Sequence, residues 1–502
     1  MCSRPALHPW TKSEARPEFY SRTLTTPEFV LAMLNEYVLG QSCPSLGVTV
    51  SVDHSVPSTL DIKTLSSRLR QAFIATRWTH PTVATQVKDS KELVYRVHDT
   101  DGVVTWAKRT VQYVEAPGGW LAKYEQLSHE AVLPTAMGDC ALLYLVVSPE
   151  QASKSQISEF DLLLHVHHSL VDGAGLKSIM DYILTGLATS DPSITFSWGE
   201  EVDKLQPAAL DAAPISDKSL KSLAQMPKEI ALPPLVKPGE ARPGTGVVTH
   251  TVPNAHNGKT DFLSHLRALA RANNVRLAAT IQAALVITLY EEVKPTEDKV
   301  ATVISGFDLR AKDLNKPWGE RNRFVGFAVG LLEIIRTPVS LLEDLEGEER
   351  FWSVAQQIQN EWSAVAERQD VAALGELRRP ATAFVLQMAL AGVNKSSSKL
   401  DMSVNYVSDP PGGNHFNGVY QDKQSRFKLD RYQLVTDESS PRLSCRSHSW
   451  NGDLVLGISF SYKHHTRDSV QVFLDKWARL LESLGQSDTT GISGDVTDRS
   501  NS

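Results

Sequence analysis

The stretch that most constrains the fold runs from Leu162 to Met180 and reads LLLHVHHSLVDGAGLKSIM. A short apolar run of strand length stops at two histidines, His167 and His168. Asp172 stands four residues after the second, followed at once by Gly173. Beyond it, AGLKSIMDYILTGLA repeats apolar residues at the spacing of an amphipathic helix. Strand, tight turn and helix in that order form a building unit of α/β folds, which place their sites at strand ends. An imidazole at such an end is the side chain best suited to exchange a proton near neutral pH. His168 is therefore the first candidate for chemistry.

Periodicity predicts helices over 26–39, 61–76, 120–132, 260–274, 277–292, 351–367 and 468–484. It predicts strands over 46–56, 92–98, 110–114, 141–147, 160–166, 299–310, 399–407, 442–450 and 454–462. Thr260 is the expected N-cap of its helix. Residues 323–335, RFVGFAVGLLEII, read as a strand pair or one bulged strand. Residues 189–245 differ in character: eight prolines fall there and PPLVKPGEARPGTG closes the stretch. The 502 residues suit two cores better than one. The expected architecture is mixed α/β in two lobes: residues 1–188 with the histidine motif, a proline-rich crossover over 189–245, and a second lobe over 246–502.

Hydrophobic residues make up 41% and charged residues 22%, a folded composition. A formal net charge of −7 gives no general attraction to nucleic acid or to an anionic membrane. Cys2, Cys43, Cys140 and Cys445 lack the spacing of a disulfide framework or a zinc knuckle. The N-terminal stretch has no apolar segment of the secretory kind, and no apolar run approaches the ~20 residues needed to span a bilayer. A cytoplasmic protein is the expectation.

HxxxD alone means little, because about one chance occurrence is expected in a chain with 15 histidines. The chain contains such a case, His464-His465-Thr466-Arg467-Asp468, where the aspartate opens a helix and suits its dipole. HHSLVDG adds a histidine and a glycine, which lowers the chance rate by roughly two to three orders of magnitude. Two plainer readings stand beside the catalytic one. His167 and His168 could be satisfied core histidines with Asp172 capping the next helix. His165, His167 and His168 could hold zinc, but strand alternation sends His168 to the face opposite the other two.

HHxxxDG after a strand resembles the signature of the CoA-dependent acyltransferase superfamily. That superfamily includes chloramphenicol acetyltransferase, the plant BAHD acyltransferases, condensation domains of peptide synthetases and fungal acetyltransferases of secondary metabolism. GFDLR (306–310) resembles its second-lobe D-x-R segment and is followed, as there, by a Gly/Phe strand, FVGFAVG. The order of elements agrees over nearly the whole chain. The nearest likeness is to fungal O-acetyltransferases of the trichothecene 15-O-acetyltransferase type. The DFGWG motif of plant enzymes is absent, and NYVSDPPGG (405–413) stands in its place.

The resemblance implies a two-lobed chloramphenicol-acetyltransferase-like fold with the active-site tunnel between the lobes. It implies acyl transfer from acyl-CoA, most simply acetyl-CoA, to a hydroxyl of a small metabolite, by a monomer with no tightly bound cofactor or metal. A carrier-protein donor, a condensation-type reaction and a non-catalytic binding protein of the same fold are the alternatives. His168 becomes the general base, and no GxSxG elbow competes with it. Asp172 looks like an orienting partner in the manner of a Ser-His-Asp triad. The resemblance instead pairs it with Arg310 as a clamp on the turn. His167 supports the turn, and Gly173 permits close backbone approach and offers an N–H to an oxyanion. Lys395 and Lys399 flank three serines in NKSSSK. They either meet CoA phosphates or belong to a solvated loop, the second being the plainer reading.

Overall fold

The computed structural model describes residues 6–53, 60–130, 133–189, 195–226, 241–254, 261–293, 300–311, 314–320, 322–368, 370–378, 386, 403–408, 415–421 and 426–486. Within them lie two six-stranded mixed sheets, one per lobe. The N-terminal sheet runs in the order Val419–Gln421, Arg426–Thr436, Pro44–Val52, Glu159–Val166, Ala141–Val147, Val111–Glu115. It is antiparallel except for its last pair. The C-terminal sheet runs Val329–Pro338, Val300–Asp308, Ser403–Ser408, Leu443–Trp450, Asp453–Ser461, Thr245–Val252, with parallel pairing on both sides of Ser403–Ser408. A small sheet of Thr11–Lys12, Phe19–Thr23, Glu92–Arg96 and Gln86–Lys88 lies apart from both. The mixed α/β, two-lobed expectation is met.

The strand Glu159–Val166 shows why its sequence is continuously apolar. Leu162 and Leu164 enter the main core of the N-terminal lobe, while Leu163 packs on the other side with Trp120, Tyr124 and Leu142. A strand covered on both faces has no polar side to alternate with. The helix Gly173–Ala188 that follows returns across this sheet and puts Leu176, Ile179, Met180 and Ile183 into the same core as Leu65, Leu69 and Phe73 of the helix Ile62–Thr79. In the C-terminal lobe the helices Leu277–Val293, Gly347–Ala366 and Arg467–Gln486 cover the second sheet, with Trp477 and Phe473 buried among them.

The helices Thr100–Thr110 and Val371–Leu377 and the strand Phe19–Thr23 are further elements that the periodicity does not predict, and four other features differ from the sequence reading. The first is the strand Arg426–Thr436, which periodicity does not predict. It comes from the second half of the chain, yet pairs with Pro44–Val52 in the N-terminal sheet, Leu434 opposite Leu46. A bulge between Leu429 and Arg431 shifts its alternation, which obscures the period-two pattern. Second, the helix Phe262–Ala272 is capped by Asp261, whose carboxylate accepts from Ser264 N at 3.1 Å, rather than by Thr260. Third, in 323–335 only the part from Val329 is strand, because the carbonyls of Phe324 and Gly326 turn to Arg310 instead of to a neighbouring strand. Fourth, the crossover carries structure: a 3₁₀ turn Glu200–Lys204 and helices Ala209–Ala212 and Asp217–Ala224. Near its end, Arg242 forms a buried ion pair with Asp437. No helix among the described residues is long and apolar enough to cross a membrane.

Candidate active site

The strand ends at Val166 and the turn begins. His167 is buried; its backbone N–H donates to Cys140 O at 2.8 Å and its Nδ1 accepts from Ser169 N at 3.2 Å. Ser169 Oγ in turn donates to Glu28 O at 2.8 Å. These bonds tie the turn to Cys140, which leads the strand Ala141–Val147, and to Glu28 at the head of the first helix. His165 turns elsewhere, to Ser45 Oγ at 2.6 Å. Among the described residues no group of three or more His, Cys, Asp or Glu side chains is gathered in a way that would hold a metal ion.

Asp172 caps the helix Gly173–Ala188, its Oδ1 accepting from Gly175 N at 2.9 Å. It also reaches across to the other lobe. Arg310 Nη1 donates to Oδ2 at 2.9 Å, Arg310 Nη2 lies 2.9 Å from Oδ1, and Ala328 N donates to Oδ2 at 2.8 Å. Both carboxylate oxygens are thus committed to Arg310 and to the amides of Gly175 and Ala328. Arg310 is itself fixed by Phe324 O at 2.8 Å, Gly326 O at 2.6 Å and Asp308 Oδ1 at 2.9 Å. Burial works against the charge of Asp172, but Arg310 and the bonds from Gly175 and Ala328 outweigh it and hold the carboxyl below its ordinary range. Arg310 is likewise raised by Asp172 and Asp308 despite its own burial. Close approach of the lobes depends on Gly175, where a Cβ would stand 2.0 Å from Val325 O; within the N-terminal lobe, a Cβ on Gly173 would meet the side-chain end of Leu434 at 2.5 Å.

His168 keeps some surface, whereas His165 and His167 are 1% exposed. Phe327 meets the His168 ring edge-to-face at 5.7 Å between centroids. Nδ1 is enclosed and makes no hydrogen bond of ordinary geometry. Burial pushes the imidazole down to about 4; Arg446 pushes the same way, while Asp172 and the Ser42 carbonyl oppose. The ring is therefore neutral near pH 7 and able to accept a proton. Of its surroundings, Phe327 lies in the FVGFAVG segment already singled out. Ser42 and Arg446 carry no sequence signal, since they reach the site through tertiary packing alone.

The second histidine pair behaves as a structural turn. His465 Nε2 sits 2.7 Å from Pro441 O, and Asp468 is exposed in the first turn of the closing helix. Lys395, Lys399 and the 409–413 part of NYVSDPPGG lie outside the described residues.

The family model described as 15-O-acetyltransferase Tri3 matches residues 3–220. No curated protein matches in sequence. Among solved structures, the trichothecene 15-O-acetyltransferase of Fusarium sporotrichioides is similar in fold, with a TM-score of 0.77 at 16% identity over 96% of this chain and 100% of that one. The polyketide synthase associated protein 5 of Mycobacterium tuberculosis follows with a TM-score of 0.56 at 16% identity, covering 93% and 98%. The epimerization domain of tyrocidine synthetase B gives 0.54 at 14%, covering 96% and 98%. The family match over residues 3–220 and the shared fold bear out the resemblance stated from the sequence. The description of the matched family supports acyltransferase activity.

Proposed function

We propose that this chain transfers an acetyl group from acetyl-CoA to a hydroxyl of a trichothecene-like metabolite, in a ternary complex with His168 as general base. One observation carries the reading: a neutral imidazole stands at a strand end between the lobes, while the adjacent Asp172 has both oxygens tied to Arg310 and backbone amides. One base, and no carboxylate relay, is what a thioester-to-hydroxyl transfer requires.

His168 takes the hydroxyl proton as that oxygen attacks the thioester carbonyl. Because Nδ1 is enclosed, Nε2 is the nitrogen that meets substrate. The tetrahedral intermediate collapses to the ester and the CoA thiolate, which takes the proton back from the imidazolium; a thiolate of reference pKa ~8.5 is basic enough to do so. We assign the oxyanion donor to the N–H of Gly173 at the helix head, ahead of the amides of Gly175 and Leu176 that bond to Asp172. Arg310 and Asp172 hold the turn in place and touch no reacting atom.

Purified protein incubated with acetyl-CoA and a trichothecene bearing a free 15-hydroxyl should yield the acetyl ester and one equivalent of CoA thiol. Mass spectrometry and a thiol assay follow both products. Ester formed only from an acetyl-loaded carrier protein would reassign the donor. No ester from either donor would remove the reading.

A further inference from the structure

The crossover sends one side chain into the wall beside His168. Gln206 follows the 3₁₀ turn Glu200–Lys204 and is 5% exposed. Its carboxamide meets three backbone groups of one segment in the C-terminal lobe. Oε1 accepts from Val325 N at 3.0 Å and Gly326 N at 2.8 Å, and Nε2 donates to Arg323 O at 2.6 Å. Residues 323–328 are not strand, so no neighbouring strand satisfies these groups, and buried backbone groups need partners. Gln206 takes the place of the missing strand. Its own position is set from the N-terminal lobe: Trp10 Nε1 donates to Gln206 O at 2.7 Å, and Tyr95 Oη donates to the buried Glu201 of the preceding turn at 2.8 Å.

The next residue in the segment is Phe327, whose ring lies edge-to-face on His168. Beyond it, Ala328 N is tied to Asp172, and Ala328 O accepts from Leu309 N at 3.0 Å. Ahead of it, Arg310 holds the carbonyls of Phe324 and Gly326 while Gln206 holds the amides of Val325 and Gly326. The place of the Phe327 ring therefore depends on backbone that Gln206 anchors on its amide side.

We propose that Gln206 is a positioning residue for the base: from the crossover it sets the path of 323–326 and so keeps Phe327 packed on the ring of His168. The proposal rests on the acyl-transfer reading above for what that ring does in turnover. Burial is the leading cause of the lowered imidazole, so a loosened Phe327 should let the ring protonate at higher pH. The groups whose charge bears on the ring, Asp172, Arg446 and the adjoining His167, stay in place in every variant below.

Gln206→Met keeps the volume and removes all three bonds, and Phe327→Leu thins the cover directly. In the parent, kcat/KM for acetyl transfer should change little between pH 7.5 and 5.5, whereas in each variant it should fall about threefold or more. In the double variant the fall should be no greater than in the more affected single, because both changes act on one contact. Titration of 13C-labelled histidine, with His168 assigned by its loss in His168→Gln, follows the ring with no substrate present and should show the same upward shifts. An unmoved His168 titration in Phe327→Leu overturns the proposal, even where Gln206→Met fails to fold. So does a shift in Gln206→Met that adds in full to that of Phe327→Leu, or a loss of thermal stability in Gln206→Met with the ring unmoved. The expected shifts in a protein that forms no ester would uphold the role of Gln206 and reject the acyl-transfer reading, whereas turnover with an unmoved ring would do the reverse.

Discussion

The chain holds two turns built to one plan, and only one of them buries its aspartate. Each follows a strand, Glu159–Val166 or Asp453–Ser461, each contains HxxxD, and each leads into a helix packed on its lobe's sheet. The second meets the N-terminal lobe through Arg467, which pairs with Glu125 near the surface. Ser469 N bonds to Thr466 Oγ1, His465 meets a nearby carbonyl, and Asp468 faces solvent. The first reaches across the molecule. Asp172 spans 138 residues to Arg310, and Gly175 lets the helix head press against Val325. The position corresponding to Gly175 is Gln471, whose side chain bonds along its own helix to Asp475. Residue types at fixed spacing specify a strand–turn–helix; a buried Asp172–Arg310 clamp distinguishes the turn proposed as the site.

Exchanging the histidines one at a time should give the largest contrast. His168→Ala should lower kcat/KM for acetyl transfer by about 10²–10⁴-fold, the span usual for loss of a positioned base. Its thermal midpoint should stay near that of the parent. His464→Ala should leave kcat/KM within about twofold. Near-normal turnover by His168→Ala would erase the distinction between the turns.

The aspartates come next, and they separate stability from rate. Asp172→Ala strands the buried Arg310 and should cost about 3–5 kcal/mol in urea unfolding. Asp468→Ala loses only an exposed charge at a helix start, about 0.3–1 kcal/mol. Asp172→Asn that kept full stability and lost activity would return Asp172 to the catalytic group and undo the clamp.

Much of the first turn is legible in the sequence itself, because strand length, two adjacent histidines, the cap and the glycines are all local signals. The pairing of Asp172 with Arg310 comes from resemblance, since no local rule links positions so far apart. What stays hidden is what tertiary structure decides. RFKLDRYQLVT alternates imperfectly around its bulge, and nothing in it says that it crosses to Pro44–Val52. Arg446 lies on a C-terminal strand whose neighbouring positions Leu443 and Cys445 are core, yet its charge bears on His168. Arg22 and Glu28 form an ordinary six-residue spacing until the fold buries them as a bidentate pair.

Burial around the first turn also sets how it responds to acid, the smallest of the expected effects. His165 and His168 are pushed down to about 4 and His167 to about 3, burial being the leading cause in each. The unfolded chain therefore binds more protons than the folded one between about pH 6.5 and 4, and stability falls as pH falls through that window. Each histidine contributes a slope of up to about 1.4 kcal/mol per pH unit there. The depressed carboxyl of Asp172 has the opposite timing: its contribution persists through this window and is lost only below the ordinary carboxylate range. Thermal midpoints should thus decline from pH 7 toward 5 while the lobe clamp is still intact. His165→Gln, which keeps a hydrogen-bonding group beside Ser45, should flatten that decline by about one proton. In the folded enzyme the acid limb of kcat/KM should lie near 4 instead of 6.5, because the base titrates in its buried state. A limb near 6.5 with full stability retained would mean that His168 is solvated when it reacts, and that the two turns differ less in environment than their partners suggest.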